Sequence, residues 1–261
     1  MTQATLQALM HQIGPGHVVG FFLVLARIGP LFVIAPLFSS PMLPTQARTI
    51  VAIAISMGLT PIAMHGHTVP TGALTLAGLM VCNLLVGLAF AFAVSAVFAA
   101  VTSAGAILDL VSGFSYGSIL DPVDNSSGGV LTNFYSIVGL ALFLAIGGDA
   151  WMLRGIGRTF SLVPLTGAPD IATITGGAVT AFGSVFVSAL EVAAPALLAL
   201  LITDVAFGLV SKVVPQLNVF AVGFPLKVGV ALLIVGAALP FLGGFMSNQI
   251  ASAVGTALQS I

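Results

Sequence analysis

Gly113-Phe114-Ser115-Tyr116-Gly117 matches the Gly-x-Ser-x-Gly pattern, which in hydrolases exposes a serine on a strained strand-to-helix turn. That chemistry needs a buried strand ahead of the serine, and a histidine with a carboxylate within reach. The four histidines, His11, His17, His65 and His67, all lie far upstream near the ends of apolar runs. With 30 glycines in the chain, the pattern also arises easily by chance, so a flexible Gly/Ser loop is expected and a membrane hydrolase is the weakest rival. His65 and His67 supply two ligands of a metal site, but no cysteine or carboxylate lies close in sequence, and a solvated turn without metal is expected. Cys82, the only cysteine, sits in an apolar run beside Asn83 and reads as a small buried hydrophobe. No Gly-rich loop ends in Lys-Ser/Thr to cradle a nucleotide. These residues point to no enzyme, no cofactor and no metal.

The charged residues inside apolar runs are more informative. A charge near mid-bilayer costs about 2.5–3.5 kcal/mol on insertion scales, so each should meet a partner or a protein interface. Arg27, near the middle of the first run, reads as a structural charge held by a neighbouring helix or by backbone carbonyls, and Asn83 as a hydrogen-bonding contact between helices. Glu191 interrupts the fifth run. Asp204 and Lys227 flank the breaker Val214-Pro215-Gln216 symmetrically, so a helical hairpin folded there brings them level and predicts an ion pair. The same register sets Gly208 opposite Gly223 for close backbone approach.

The elements that must hold these groups are six apolar stretches, about 18–38, 49–64, 74–101, 130–147, 177–210 and 219–246. The chain of 261 residues is 59% hydrophobic and has only 6 Lys+Arg and 7 Asp+Glu, far below the quarter charged that is typical of soluble domains. Lipid or a partner must therefore cover most of its exterior. A net charge of -1 gives no basic stripe, which argues against nucleic acid. The runs lack strict alternation and are rich in Ala, Leu and Gly, so they predict an all-α membrane protein built of hairpins. Pro195 in the fifth run, and Pro225 and Pro240 in the sixth, suit helices facing protein better than lipid. The first run is too long for a signal-peptide core and is expected to be retained.

Breakers separate the runs at Ser39-Ser40-Pro41 with Pro44, His65 to Pro70, Asp121 to Gly129, Pro164 to Pro169 and Lys212 to Asn218. The stretch from Ser103 to Gly129 reads as the longest non-spanning loop, and a loop of that length usually serves function. Loop charges leave orientation undecided, with Arg48 and Lys212 on one face and Arg154 and Arg158 on the other. The expected organisation is one membrane domain over 1–261, with N-terminal helices and loop over 1–129 and C-terminal hairpins over 130–261.

Two stretches carry a family resemblance: Gly113-Phe-Ser-Tyr-Gly-Ser-Ile-Leu-Asp-Pro122, and the more specific Val214-Pro-Gln-Leu-Asn-Val-Phe-Ala-Val-Gly-Phe-Pro-Leu-Lys227. Gly147-Gly-Asp-Ala-Trp151 followed by Ser161-Leu-Val-Pro164 looks like the family's turn into its next hairpin. With the order of breakers from about residue 20 onward, the chain resembles the FliR family of flagellar type III export-gate proteins, related to the SctT family of injectisomes. Injectisome relatives usually carry Asp-Asn-Gln-Arg where this chain has Asp121-Pro122-Val123-Asp124, which favours the flagellar branch.

The resemblance implies a pore-forming, non-enzymatic subunit with no cofactor in the bacterial inner membrane, at the flagellar basal body. It implies assembly with FliP-like and FliQ-like subunits, an FlhB-like neighbour, membrane lipid as surroundings and unfolded flagellar proteins as substrates. It also implies a fold like fused FliP-like and FliQ-like hairpins, in an assembly largely above the bilayer plane. The family's pore plug falls here at residues 106–125. Ile107, Leu110, Val111, Phe114, Ile119 and Leu120 would then pack the closed pore, Gly113 and Gly117 would give mobility, and Asp121-Pro122 would fix one end. Arg27, Glu191, Asp204 and Lys227 would serve burial or assembly, and Pro215, Gln216, Leu217, Asn218, Gly223, Phe224 and Pro225 form the family motif. The main rival is a secondary transporter or small channel, which also needs broken helices and buried charges, although the two halves show no clear repeat.

Overall fold

Residues without strand alternation, in runs of Ala, Leu, Val and Gly, close their backbone hydrogen bonds within single segments, and a nonpolar medium demands the same. The structure is a computed structural model that describes residues 15–39, 44–65, 69–70, 72–115, 129–216 and 218–261. It is all-α over those residues. The helices are α1 (Pro15–Ile34), α2 (Pro36–Ser39), α3 (Thr45–Ala63), α4 (Ala73–Ser112), α5 (Val130–Ala145), α6 (Gly148–Leu162), α7 (Ile171–Val213) and α8 (Val219–Gln259). Five of them, α1, α3, α4, α7 and α8, are long and apolar enough to cross a membrane. The pair α5 and α6, bent by 70°, makes a sixth candidate if it acts as one span.

Several boundaries differ from the sequence expectation for physical reasons. The run 18–38 is split because Pro36 disfavours the helical conformation at Ala35. Residues 103–112, expected in a loop, continue α4. The Thr102 hydroxyl donates to the Phe98 carbonyl at 3.0 Å and the Ser112 hydroxyl to the Leu108 carbonyl at 2.6 Å, so these polar side chains are satisfied inside the helix. Residues 148–162, expected as a turn, form α6, which opens with Asp149 in its first turn where the helix dipole favours an acid. The bend before it falls at Gly147, whose φ of +70° is a left-handed conformation that suits glycine. The final helix outlasts its apolar run because Ile250, Val254 and Ala257 remain buried on one face. Cys82 is free and half-buried, more exposed than expected.

The starts of α7 and α8 are capped by the side chain just before each helix. Asp170 accepts from the Ala172 N–H at 3.1 Å and from the Thr173 hydroxyl at the start of α7. Those hydrogen bonds, the Thr173 hydroxyl first, hold the Asp170 carboxyl below the usual carboxylate range. Asn218 accepts from the Ala221 N–H at 3.1 Å at the start of α8.

The chain forms two compact units. Unit 1 comprises Met1–Ser95, Asp149–Ala181 and Ala251–Ile261, and unit 2 comprises Ala96–Gly148 and Phe182–Ile250. In unit 1, α1 packs on α3 and lies so close to α4 that a Cβ at Gly87 would overlap the Arg27 carbonyl. Leu23, Ile28, Leu31, Val86, Phe90 and Ile156 fill this core. In unit 2, α4 and α5 approach through Gly105, where a Cβ would stand 2.8 Å from the Leu131 carbonyl, and Phe98 meets Phe143 with ring centroids 5.1 Å apart.

Gly87→Ala is expected to destabilise the protein by about 1–3 kcal/mol, the usual cost of overpacking, because backbone rather than a movable side chain opposes the new methyl. Thermal unfolding in detergent should show a lowered midpoint for Gly87→Ala and no loss for Gly58→Ala, whose Cβ would meet nothing within 4 Å.

Candidate functional site

Unit 1 holds Arg27, fully buried although it carries a full charge. Its Nε donates to Asn83 Oδ1 at 2.9 Å, and Nη1 donates to the Thr159 and Val163 carbonyls at 3.0 and 2.8 Å. The Thr159 carbonyl lies in the last turn of α6, where the dipole is negative, and also accepts from the Val163 N–H at 2.9 Å, while the Val163 carbonyl lies just beyond the helix end. Asn83 in turn donates to the Leu79 and Leu165 carbonyls at 2.8 and 3.0 Å. The guanidinium carbon stands 4.6 Å from the Phe160 ring centroid, in range for a cation–π contact. Nη2 is buried without a hydrogen-bond partner among the described residues. Arg27 therefore ties α1, α4 and the end of α6 into one framework.

Unit 2 holds the end of α4, where the family resemblance implies the start of a plug-like segment. Ile107, Leu110 and Val111 lie on the helix rather than in a loop; Leu110 is 72% exposed and the other two are half-buried. Gly113 follows with φ +92°, a conformation that strains any residue bearing a Cβ, and Phe114 is half-buried. The helix ahead of Ser115 replaces the strand that a nucleophile elbow requires. Gly117, Ile119, Leu120, Asp121 and Pro122 lie outside the described residues.

Asp109 was not singled out from the sequence, and it anchors both ends of this segment. The residue just before α5, Gly129, has no side chain to cap the helix, so the first N–H groups of α5 lack acceptors of their own. Asp109, 2% exposed on α4, supplies them: Oδ1 accepts from the Leu131 N–H at 2.8 Å, and Oδ2 from the Thr132 N–H at 2.8 Å and the Thr132 hydroxyl at 2.6 Å. A Cβ on Gly129 would collide with that carboxylate, so the glycine is the condition for the cap. The sequence signal was an apolar run that opens after Gly129 without Ser, Thr, Asp or Asn at the helix start.

The α7–α8 hairpin brings Asp204 and Lys227 together as an ion pair, with side chains 41% and 25% exposed. Pro215 and Gln216 form the exposed turn, and Asn218 caps α8; Leu217 lies outside the described residues. Gly223 is buried and faces the Phe207 ring, its Cβ position 3.6 Å away. The expected approach of Gly223 to Gly208 is not what forms, since a Cβ at Gly208 meets nothing within 4 Å: the Phe207 ring fills the space that small residues would have closed. Phe224 and Pro225 are exposed. Glu191, also exposed, lies near the middle of α7, apart from the Asp204–Lys227 pair.

These features define a membrane protein of apolar helices whose few polar groups hold helix ends and hairpins together. Residues 18–253 match the family described as bacterial export proteins, family 1, and the chain belongs to it. It is 30% identical over 228 residues to the flagellar biosynthetic protein FliR of Escherichia coli K12, covering 87% of both chains. It is 29% identical over 221 residues to the FliR of Bacillus subtilis, covering 82% of this chain and 84% of the relative. The surface presentation of antigens protein SpaR of Salmonella typhimurium is 26% identical over 228 residues, or 87% of this chain and 83% of the relative. The chain is thus a membrane component of a bacterial protein-export system.

Asp109→Ala should cost about 1–2 kcal/mol through the lost cap, and should raise amide exchange at Leu131 and Thr132 before the rest of α5. For the hairpin, Asp204→Lys and Lys227→Asp are each expected to impair export, while the double exchange restores it. Motility of complemented cells reads this out, and a double exchange as defective as the single ones would contradict a pair acting within one chain.

Proposed function

We propose that this protein is a pore-forming subunit of the flagellar type III export gate in the bacterial inner membrane, passing unfolded flagellar proteins as part of the basal body. In this reading it assembles with FliP-like and FliQ-like subunits beside an FlhB-like neighbour and performs no catalysis. The observation that carries the reading is the length of apolar surface on α7. Its 43 residues extend about 65 Å at 1.5 Å per residue, roughly twice the hydrocarbon core of about 30 Å. Exposed apolar side chains nevertheless run along it, including Val179, Phe186, Leu198, Val205, Leu209 and Val213. Lipid covers at most half of such a helix, so neighbouring subunits account for the rest. The similarity to flagellar FliR proteins at 30% and 29% identity supports the flagellar branch.

The segment that follows α4 serves in this reading as the gate. Asp109 anchors its base, and the left-handed Gly113 sets the direction in which the chain leaves the helix. An apolar segment held at both ends can seal a pore against ions and still withdraw when an unfolded chain arrives.

Affinity purification of the tagged chain in mild detergent, followed by mass spectrometry, should recover FliP-like and FliQ-like subunits. A clean monomer or homodimer from cells that express those subunits would move the transporter reading ahead. Gly113→Ala is expected to loosen the closed gate because the methyl opposes a φ of +92°, raising ion leak across the membrane. Unchanged leak, with the assembly intact, would contradict the gating role.

A further inference from the structure

We propose that a groove in unit 2, walled by α5, α7 and α8, seats a lysine or arginine side chain carried on an apolar helix of a neighbouring subunit, with Glu191 as its counter-charge. The inference rests on the assembly reading above. The groove has a volume of about 390 Å³, and its lining is mostly apolar, with Pro195, Val235 and Leu242 among the walls. Into this lining come Glu191, Asn248 and Gln249. Gln249 is committed within the chain, since its Nε2 donates to Ser188 Oγ at 3.2 Å. Glu191 has no hydrogen-bond or ion-pair partner among the described residues, where the ion pair that forms is Asp204–Lys227.

Pro195 sharpens the requirement. It stands four residues beyond Glu191 inside α7, and proline has no N–H to give the Glu191 carbonyl. One residue therefore carries a main-chain acceptor without its helical donor and a carboxylate without a counter-ion, near the middle of a 43-residue apolar helix. What completes such a site is a group rich in donors and positively charged, on a stem that tolerates apolar walls. Lysine and arginine have this form, with an aliphatic stem and a cationic head. A lipid acyl chain would fill the walls and leave the carboxylate uncompensated, and an anionic headgroup would be repelled by it. A metal ion finds no group of three His, Cys, Asp or Glu among the described residues. Charge complementarity therefore selects a basic side chain on an otherwise apolar partner helix.

The test uses the full chain in cells that express the complete set of export subunits. A benzophenone amino acid placed at Ala238, which lines the groove, should cross-link on illumination to a peptide from a different subunit's apolar helix containing Lys or Arg. Glu191→Lys should reduce co-purification of that subunit at least tenfold while the chain's own membrane abundance is unchanged, and Lys or Arg→Glu in the partner should restore it. Should Glu191→Lys fail to accumulate, Glu191→Gln decides by the same comparison at normal abundance. Adducts confined to lipid or to a second copy of this chain would overturn the proposal, as would undiminished recovery of the partner by the Glu191 variants. If wild-type chain recovers no other subunit, the assembly reading falls and this inference with it. Recovery by wild type and variant alike overturns the groove alone.

Discussion

A helix in a nonpolar medium satisfies its own middle but not its ends, where four N–H groups and four carbonyls have no partner within the helix. Much of the polar chemistry described in this chain answers that constraint. Asp109 receives the first donors of α5, Asp170 those of α7 and Asn218 those of α8, while Arg27 and Asn83 donate to carbonyls at and just beyond the end of α6. With only 13 charged residues in 261, placing several at helix ends leaves few for solvation. The polar groups thereby fix where helices begin and end, and the apolar faces are left to determine what packs on them.

The two units use this economy differently. In unit 1 one guanidinium gathers three elements, and Gly87 lets α4 approach the Arg27 backbone closely enough for the side chain to reach α6. In unit 2 a carboxylate does the corresponding work: Asp109 binds the start of α5 to α4, with Gly129 and Gly105 making room. Arg27 closes a rigid interior. Asp109 instead joins the last turns of α4 to the first turn of α5. The same device, a buried ion on a helix terminus, thus joins α1, α4 and α6 in one place and α4 and α5 in the other.

How much of this was legible in the sequence follows from how local each signal is. Apolar runs and Pro/Gly breakers are local, so the all-α class, the hairpin turn at Pro215 and the register that pairs Asp204 with Lys227 could be read directly. Asp109 could not, because its partners lie 22 and 23 residues away and its own neighbourhood of Gly and Ser resembles a loop. The extension of α4 to Ser112 was hidden for a related reason: Thr102 and Ser112 satisfy themselves on the preceding turn, which composition does not reveal. α6 was missed because Asp149, Arg154 and Arg158 break its apolar pattern, although its buried stripe includes Met152, Ile156 and Thr159. Gly208 failed as a contact because small size permits close approach without requiring it.

The 70° bend at Gly147 bears on how the chain enters its membrane. The two arms, 16 and 15 residues long, reach about 24 Å and 22 Å, each short of the hydrocarbon core of about 30 Å. Neither arm can partition out of the translocon as a self-sufficient span, and α6 also carries three charges. Integration of this pair therefore depends on segments already emerged, with α1 and α4 presenting the Arg27 and Asn83 donors that the end of α6 requires. Biogenesis of this protein is in that sense sequential, the earlier helices acting as the solvent for a later one.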